Sequence, residues 1–156
     1  SAVIQDAVTD GIRMGSFLYA PPRDDYGGAS ILLPFGENYL AIQKFTSLLF
    51  DTPEFFKEKA SVEILNGTKT FALASTVGDT VIPFGLNVQH YGNAPRENGK
   101  LIQVTYYSIN HPEKAAATEA ALPLLFPRAL KLSSTADPNS PYDITIVIGE
   151  DITLNL

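Results

Sequence analysis

From Val62 onward, apolar residues fall in short runs at regular intervals, each closed by a turn residue. Val62, Ile64 and Leu65 read as a short buried strand, Asn66-Gly67 as the turn that ends it, and Thr68 or Thr70 as the cap of a helix from about Thr70 to Phe84. Phe71, Ala74, Val77, Val81 and Phe84 share one face of that helix, and Gly85 supplies its stop. Leu86 to Tyr91 and Leu101 to Tyr107 alternate with the period of strands, joined by loop residues Gly92 to Gly99. A second helix is predicted from Asn110 or His111, with Pro112 in its first turn, and is disturbed at Pro123. Arg128 to Leu132 is a candidate edge strand, and Ile144 to Ile148 is the strongest strand signal in the chain. The order β-α-β-β-α-β-β predicts an α+β fold of the split β-α-β kind, a small mixed sheet with two helices on one face.

Upstream the pattern thins. Asp10-Gly11, Ala20-Pro21-Pro22 and Tyr26-Gly27-Gly28 interrupt the chain, and Ala29 to Leu33 leaves room for one short strand before Pro34. Asn38 then caps an amphipathic helix in which Tyr39, Ile42, Phe45, Leu48 and Leu49 share a stripe, and Thr52-Pro53 starts a shorter one. Residues 1–60 are therefore read as a helical and extended arm or linker and residues 61–156 as the folded domain, with the boundary near Ala60. The stripe of the first helix offers a surface to another subunit or a preceding domain, so a homodimer is one expected partner.

Composition narrows the function classes. With 156 residues, 45% of them hydrophobic, the chain can bury a core. Its net charge is −6 and its Lys and Arg residues are scattered, which argues against nucleic acid and anionic lipid as partners. Runs such as Ile31-Leu32-Leu33 fall far short of the ~20 residues that span a bilayer, so membrane insertion by this chain is not expected. Ser1-Ala2-Val3 has no initiator Met, and the chain reads as a segment of something longer. The lack of cysteine excludes a disulfide scaffold, a thiol nucleophile and a thiolate metal site.

Few constellations suggest chemistry. His90 and His111 lack the converging partners that zinc requires, and no Gly-x-Ser-x-Gly elbow or Gly-rich cofactor fingerprint occurs, so neither metal, cofactor nor enzyme activity is expected. Glu150 and Asp151 are adjacent on a strand end and point apart; with Asp143 they read as solvated acids. Asn66, Gly67 and Thr68 stand where a helix start could hold an anion, against a simpler reading in which Asn66 bonds its own turn. If Ile102, Val104 and Tyr106, with Leu86, Val88 and His90, face the helices, then Asn87, Gln89, Tyr91, Gln103, Thr105 and Tyr107 line the open face of the sheet. Amides, hydroxyls and rings on one face suit a sugar ligand, and an ordinary polar outer face is the competing reading.

Several of these segments together resemble a known domain. Val62-x-Ile64-Leu65-Asn66-Gly67-Thr68, Ala72-Leu73-Ala74, Gly85-Leu86-Asn87-Val88, Gly92-Asn93-Ala94 and Tyr142 to Asp151 are similar, in this order, to the LytR C-terminal domain of LytR-CpsA-Psr cell-envelope proteins. Ala72 departs from the pattern, since the family often carries Gly there. Phe17 to Phe50 also looks like the tail of the catalytic domain that precedes it in such proteins. The resemblance implies an extracytoplasmic module of the bacterial envelope, membrane-anchored in the full-length protein and without catalytic residues of its own. It would bind cell-wall glycan or glycopolymer and position the upstream transferase domain, which moves anionic glycopolymer onto peptidoglycan. A protein-interaction or dimerisation module without a glycan ligand is the alternative.

Overall fold

The last strand in sequence is the centre of the sheet. A computed structural model describes residues 18–19, 33–34, 39–126 and 128–152. In it β1 (Leu18–Tyr19) and β2 (Leu33–Pro34) form a separate antiparallel pair. They are followed by α1 (Tyr39–Asp51) and α2 (Pro53–Glu58). Then come β3 (Val62–Asn66), α3 (Leu73–Val81), a 3₁₀ turn (Ile82–Phe84), β4 (Val88–Asn93), β5 (Tyr106–Ile109), α4 (Pro112–Leu125), β6 (Lys131–Leu132) and β7 (Ile144–Ile148). The main sheet has the order β4-β3-β7-β5-β6. β7 runs parallel to β3 and antiparallel to β5, so the sheet is mixed. Four β-branched apolar residues in five make β7 suited to be covered on both sides, and Ile144, Ile146 and Ile148 are fully buried with Val147 nearly so. The element order read from the hydrophobic pattern, and the α+β class, are those of the molecule.

The helices converge on one face. Val62 and Ile64 of β3, the three Ile residues of β7, Ala74, Val77 and Val81 of α3, and Ala115, Ala121, Leu122 and Leu125 of α4 make one core. Phe45, Leu48 and Leu49 of α1 and Phe55 and Phe56 of α2 belong to it too, with Phe45 edge-on to Phe56 at 5.7 Å between centroids. Lys44 spans the same junction, donating to the Leu125 carbonyl at 2.9 Å with its ammonium 4.8 Å from the Phe84 ring centroid. Burial there lowers the pKa of Lys44. Phe45, Leu48 and Leu49 of the α1 stripe are thus buried within this chain and are not free for another subunit.

The entry to α3 differs from the expectation. Neither Thr68 nor Thr70 caps the helix; its N-cap is Ala72, which has φ 56 and no side-chain cap bond. Residues before it form a loop closed around Asn66, whose Oδ1 accepts from the Thr68 N–H and hydroxyl at 2.9 and 2.8 Å and whose Nδ2 donates to the Thr70 carbonyl at 2.7 Å. An L-residue in the left-handed region is strained where glycine is not. Ala72→Gly is therefore expected to raise stability by about 0.5–1 kcal/mol, read as a higher urea midpoint. An unchanged or lower midpoint would show that the left-handed Ala72 carries no net strain.

A bulge reverses the faces of β4. Val62 pairs with Val88, but Glu63 pairs with His90, so Gln89 is an extra residue without a partner on β3. Beyond it the alternation inverts: Tyr91 lies level with buried Ile64 on the helix side, and His90 lies on the other. β5 departs in the same sense, because its register on β7 puts Tyr107 opposite Ile146 and Tyr106 opposite Val147. The expected assignment of Tyr91 and Tyr107 to the open face, and of His90 and Tyr106 to the helix side, is corrected by these registers.

Candidate functional site

Tyr107 lies under α4, where its hydroxyl donates to Glu119 Oε1 at 3.0 Å. Burial, that bond and the Glu119 charge together raise its pKa above the ordinary tyrosine value, so it remains a neutral donor. Thr105 is buried, and its N–H and hydroxyl both donate to Asp151 Oδ1 at 2.7 Å. The segment 101–105 is not a strand. It crosses the ends of β3 and β7 instead, with the Ile102 N–H donating to the Gly67 carbonyl and the Glu150 N–H to the Ile102 carbonyl, each at 2.9 Å. Asn87 donates to the Lys59 carbonyl at 2.9 Å, and Gln89 is exposed in the bulge. Gln103 borders a separate concavity of ≈ 450 Å³ beside Val104, Tyr106 and Leu132. The six residues expected on one face are therefore dispersed.

The helix-free face holds a different set. Glu63 Oε1 accepts from the Thr145 hydroxyl at 2.8 Å, and His90 Nδ1 lies 3.2 Å from Glu63 Oε2. Asn110 donates to the Thr145 hydroxyl and the Tyr142 carbonyl at 3.0 Å each, and the His90 ring stacks on Tyr142 with 5.4 Å between centroids. These polar groups satisfy one another, which leaves few for a ligand. His111 Nε2 lies 2.9 Å from the Ser140 carbonyl, and among the described residues no group of three His, Cys, Asp or Glu could hold a metal ion. Asp143 accepts from the Ser61 N–H and hydroxyl at 2.8 and 2.9 Å, so Asp143 and Asp151 are structural acceptors at the two ends of β7 rather than solvated acids.

A second opening lies in the crevice where β3 and β4 end and α3 begins. It encloses ≈ 490 Å³ and is lined by Asn66, Lys69 and Phe71 from the loop, Tyr91 and Asn93 from β4, and Arg96 beyond it. Ligands favour this end of parallel strands because the loops there diverge. Between β3 and β7 the same end is filled by residues 102–105, so among the described residues the hollow at this end lies on the β3–β4 side. Tyr91 reaches it by lying flat against α3 at Gly78, where a methyl group would overlap the phenol. Burial and then the Asp79 charge raise the Tyr91 pKa, which keeps its hydroxyl a donor. Phe71 is 96% exposed beside it.

Of the residues the sequence singles out, Tyr91, Asn66 and Thr68 line this groove, while Gly67 lies beneath Ile102. Asn66 bonds its own turn, as the simpler reading had it. Lys69, Phe71 and Arg96 escape sequence reasoning: Phe71 fits the spacing of the α3 core face, yet it precedes the helix and points to water.

Among the described residues no helix is long and apolar enough to cross a membrane. A family described as LytR cell envelope-related transcriptional attenuator matches residues 59–151, which takes in the whole main sheet with α3 and α4. Neither a curated protein nor a solved structure matches.

Proposed function

The chain belongs to the LytR cell envelope-related transcriptional attenuator family, and from that premise we propose that it is a non-catalytic module of the bacterial cell envelope that binds wall glycan in the β3–β4 groove. In this reading the module is extracytoplasmic, and in the full-length protein it holds a glycopolymer or peptidoglycan strand beside a preceding, membrane-anchored transferase domain. The observation that carries it is Phe71, an almost fully exposed ring at the lip of a groove that also presents Tyr91 and the amides of Asn66 and Asn93. Rings stack on the CH faces of sugars, and amides bond their hydroxyls. An exposed phenylalanine contributes nothing to the core, so its position suits a contact made with something outside the chain.

The test separates binding from folding. Phe71→Ala is expected to weaken pull-down by purified cell wall about tenfold, as loss of a central aromatic contact does, while leaving the melting temperature unchanged. Tyr107→Ala, by contrast, is expected to lower the melting temperature because it empties space under α4. Wild-type pull-down by the Phe71 variant would remove the groove as the glycan site.

A further inference from the structure

We propose that Asn98-Gly99 is a site of spontaneous covalent modification, at which the asparagine cyclises onto the following amide and loses ammonia, and that the fold shields the other Asn-Gly pair, Asn66-Gly67, from the same chemistry. The reaction needs an asparagine side chain free to turn, a following backbone nitrogen free to attack it, and no bulk beyond that nitrogen. Glycine meets the last condition at both positions. At 98–99 the fold meets the other two. Both residues are exposed, and the Asn98 side chain has no hydrogen-bond partner among the described residues. A Cβ on Gly99 would meet nothing within 4 Å. The backbone here is a 3₁₀ turn, Glu97–Gly99, interrupted at Asn98, whose φ of 52 and ψ of 30 are not helical. A single broken turn opens readily, which lets Asn98 bring its amide carbon to the Gly99 nitrogen.

At 66–67 the asparagine and the nitrogen are both held. Asn66 Oδ1 accepts two hydrogen bonds and its Nδ2 donates to the Thr70 carbonyl at 2.7 Å, which fixes the amide. The Gly67 N–H donates to the Ile148 carbonyl at 2.9 Å, and the Gly67 carbonyl accepts from the Ile102 N–H, so the attacking nitrogen is tied into the end of the sheet. Cyclisation there would first have to pull the end of β3 away from β7 and from the segment 101–105. At 98–99 the step balances with water as the one co-reactant. A bond forms between the Gly99 nitrogen and Asn98 Cγ, the Cγ–Nδ2 bond breaks, and the proton from the Gly99 N–H leaves with the side-chain nitrogen as ammonia. Water then opens the five-membered imide at either carbonyl, giving an aspartate or an isoaspartate whose chain runs through the side chain. Either product adds a negative charge to a chain of net charge −6, two residues beyond Arg96 of the groove lining. The isoaspartate also lengthens the loop between β4 and the 101–105 crossing by one backbone carbon.

The experiment treats the full chain with hydroxylamine, which cleaves the imide, both folded and in guanidinium, and follows the fragments by mass spectrometry. The unfolded chain is expected to be cut at both pairs. The folded chain is expected to be cut between Asn98 and Gly99 at a rate within about threefold of the unfolded one, and between Asn66 and Gly67 about a hundredfold more slowly than when unfolded. In parallel, the folded protein is aged without hydroxylamine in mildly alkaline buffer and digested with trypsin. The peptide 97–100 is expected to gain one mass unit and to separate into aspartate and isoaspartate forms, while the peptide 60–69 keeps its mass. Asn98→Gln, an exposed change that leaves the fold alone, is expected to abolish the gain. Cleavage of the two pairs at similar rates in the folded protein, or protection of both, overturns the proposal. So does a mass gain in the peptide 97–100 that persists in the Gln variant.

Discussion

Gly149→Ala is expected to destabilise the fold by about 3 kcal/mol, the upper part of the range for a methyl forced into a packed site. Gly149 does not have a positive φ, so the cost is one of space. A Cβ there would stand 2.7 Å from the Val104 carbonyl carbon and 2.8 Å from the Thr105 nitrogen. Both are backbone atoms and cannot rotate away as a side chain could. They are also anchored, because the Gly149 N–H donates to the Thr105 hydroxyl at 2.9 Å and Asp151 grips Thr105 from the next residue but one. For a domain of this size the loss corresponds to a fall in melting temperature of roughly 6–12 °C. A variant that melts within a degree or two of wild type would mean that the 101–105 segment is not pressed against β7 as described. Gly67 serves the same crossing from β3, since a Cβ on it would overlap Ile102 and come 2.7 Å from the Ile148 carbonyl. The crossing matters for function because it closes one half of the strand-end crevice and leaves the groove in the other.

The elements were legible because hydrophobic periodicity is a local signal. Ile144 to Ile148 is a strand in either reading, and Gly85, with φ 110, ends the α3 region where it was expected to. The faces were less legible, because a period of two carries no memory across an irregularity. One unpaired residue, Gln89, inverts everything after it in β4, and nothing in Val88-Gln89-His90-Tyr91 marks a bulge. Tyr106 and Tyr107 pose a different difficulty. Either could face inward by composition, and the choice falls to Ile146, distant in sequence, through the antiparallel register. The groove depended on the same kind of information. Phe71 has core spacing relative to Ala74, and only the left-handed turn at Ala72 removes it from the helix. Arg96 comes to the site because β4 ends level with β3, a relation that no window of sequence contains. The resemblance quoted for residues 62–68 and 85–94 did contain the site's framework, since Asn66, Gly92 and Asn93 are all on the groove wall.

Loss of the Glu58 carboxylate is expected to be nearly as damaging, about 2–3 kcal/mol for Glu58→Ala. Glu58 ends α2, and its two oxygens accept from the Ala117 and Thr118 N–H groups of α4 at 2.9 and 2.8 Å. Both bonds are to a charged acceptor, the stronger class of hydrogen bond, and they tie the segment preceding the matched family region to the helix that covers the sheet. Removing the carboxylate leaves buried Phe55 and Phe56 as the main anchors of α2. The measurement is urea unfolding of Glu58→Ala beside Glu58→Gln, which keeps one acceptor oxygen and the same length. The order expected is wild type, then Gln, then Ala, with unchanged dependence on denaturant, as befits a loss of stability rather than a change in compactness. If Gln and Ala unfold alike at the wild-type midpoint, the contact is an ornament of the helix surface and α2 is held by its aromatic residues. Should the midpoint fall while the wall pull-down of the remaining folded protein stays intact, the groove and the α2–α4 junction are energetically separate, as their positions at different parts of the fold require.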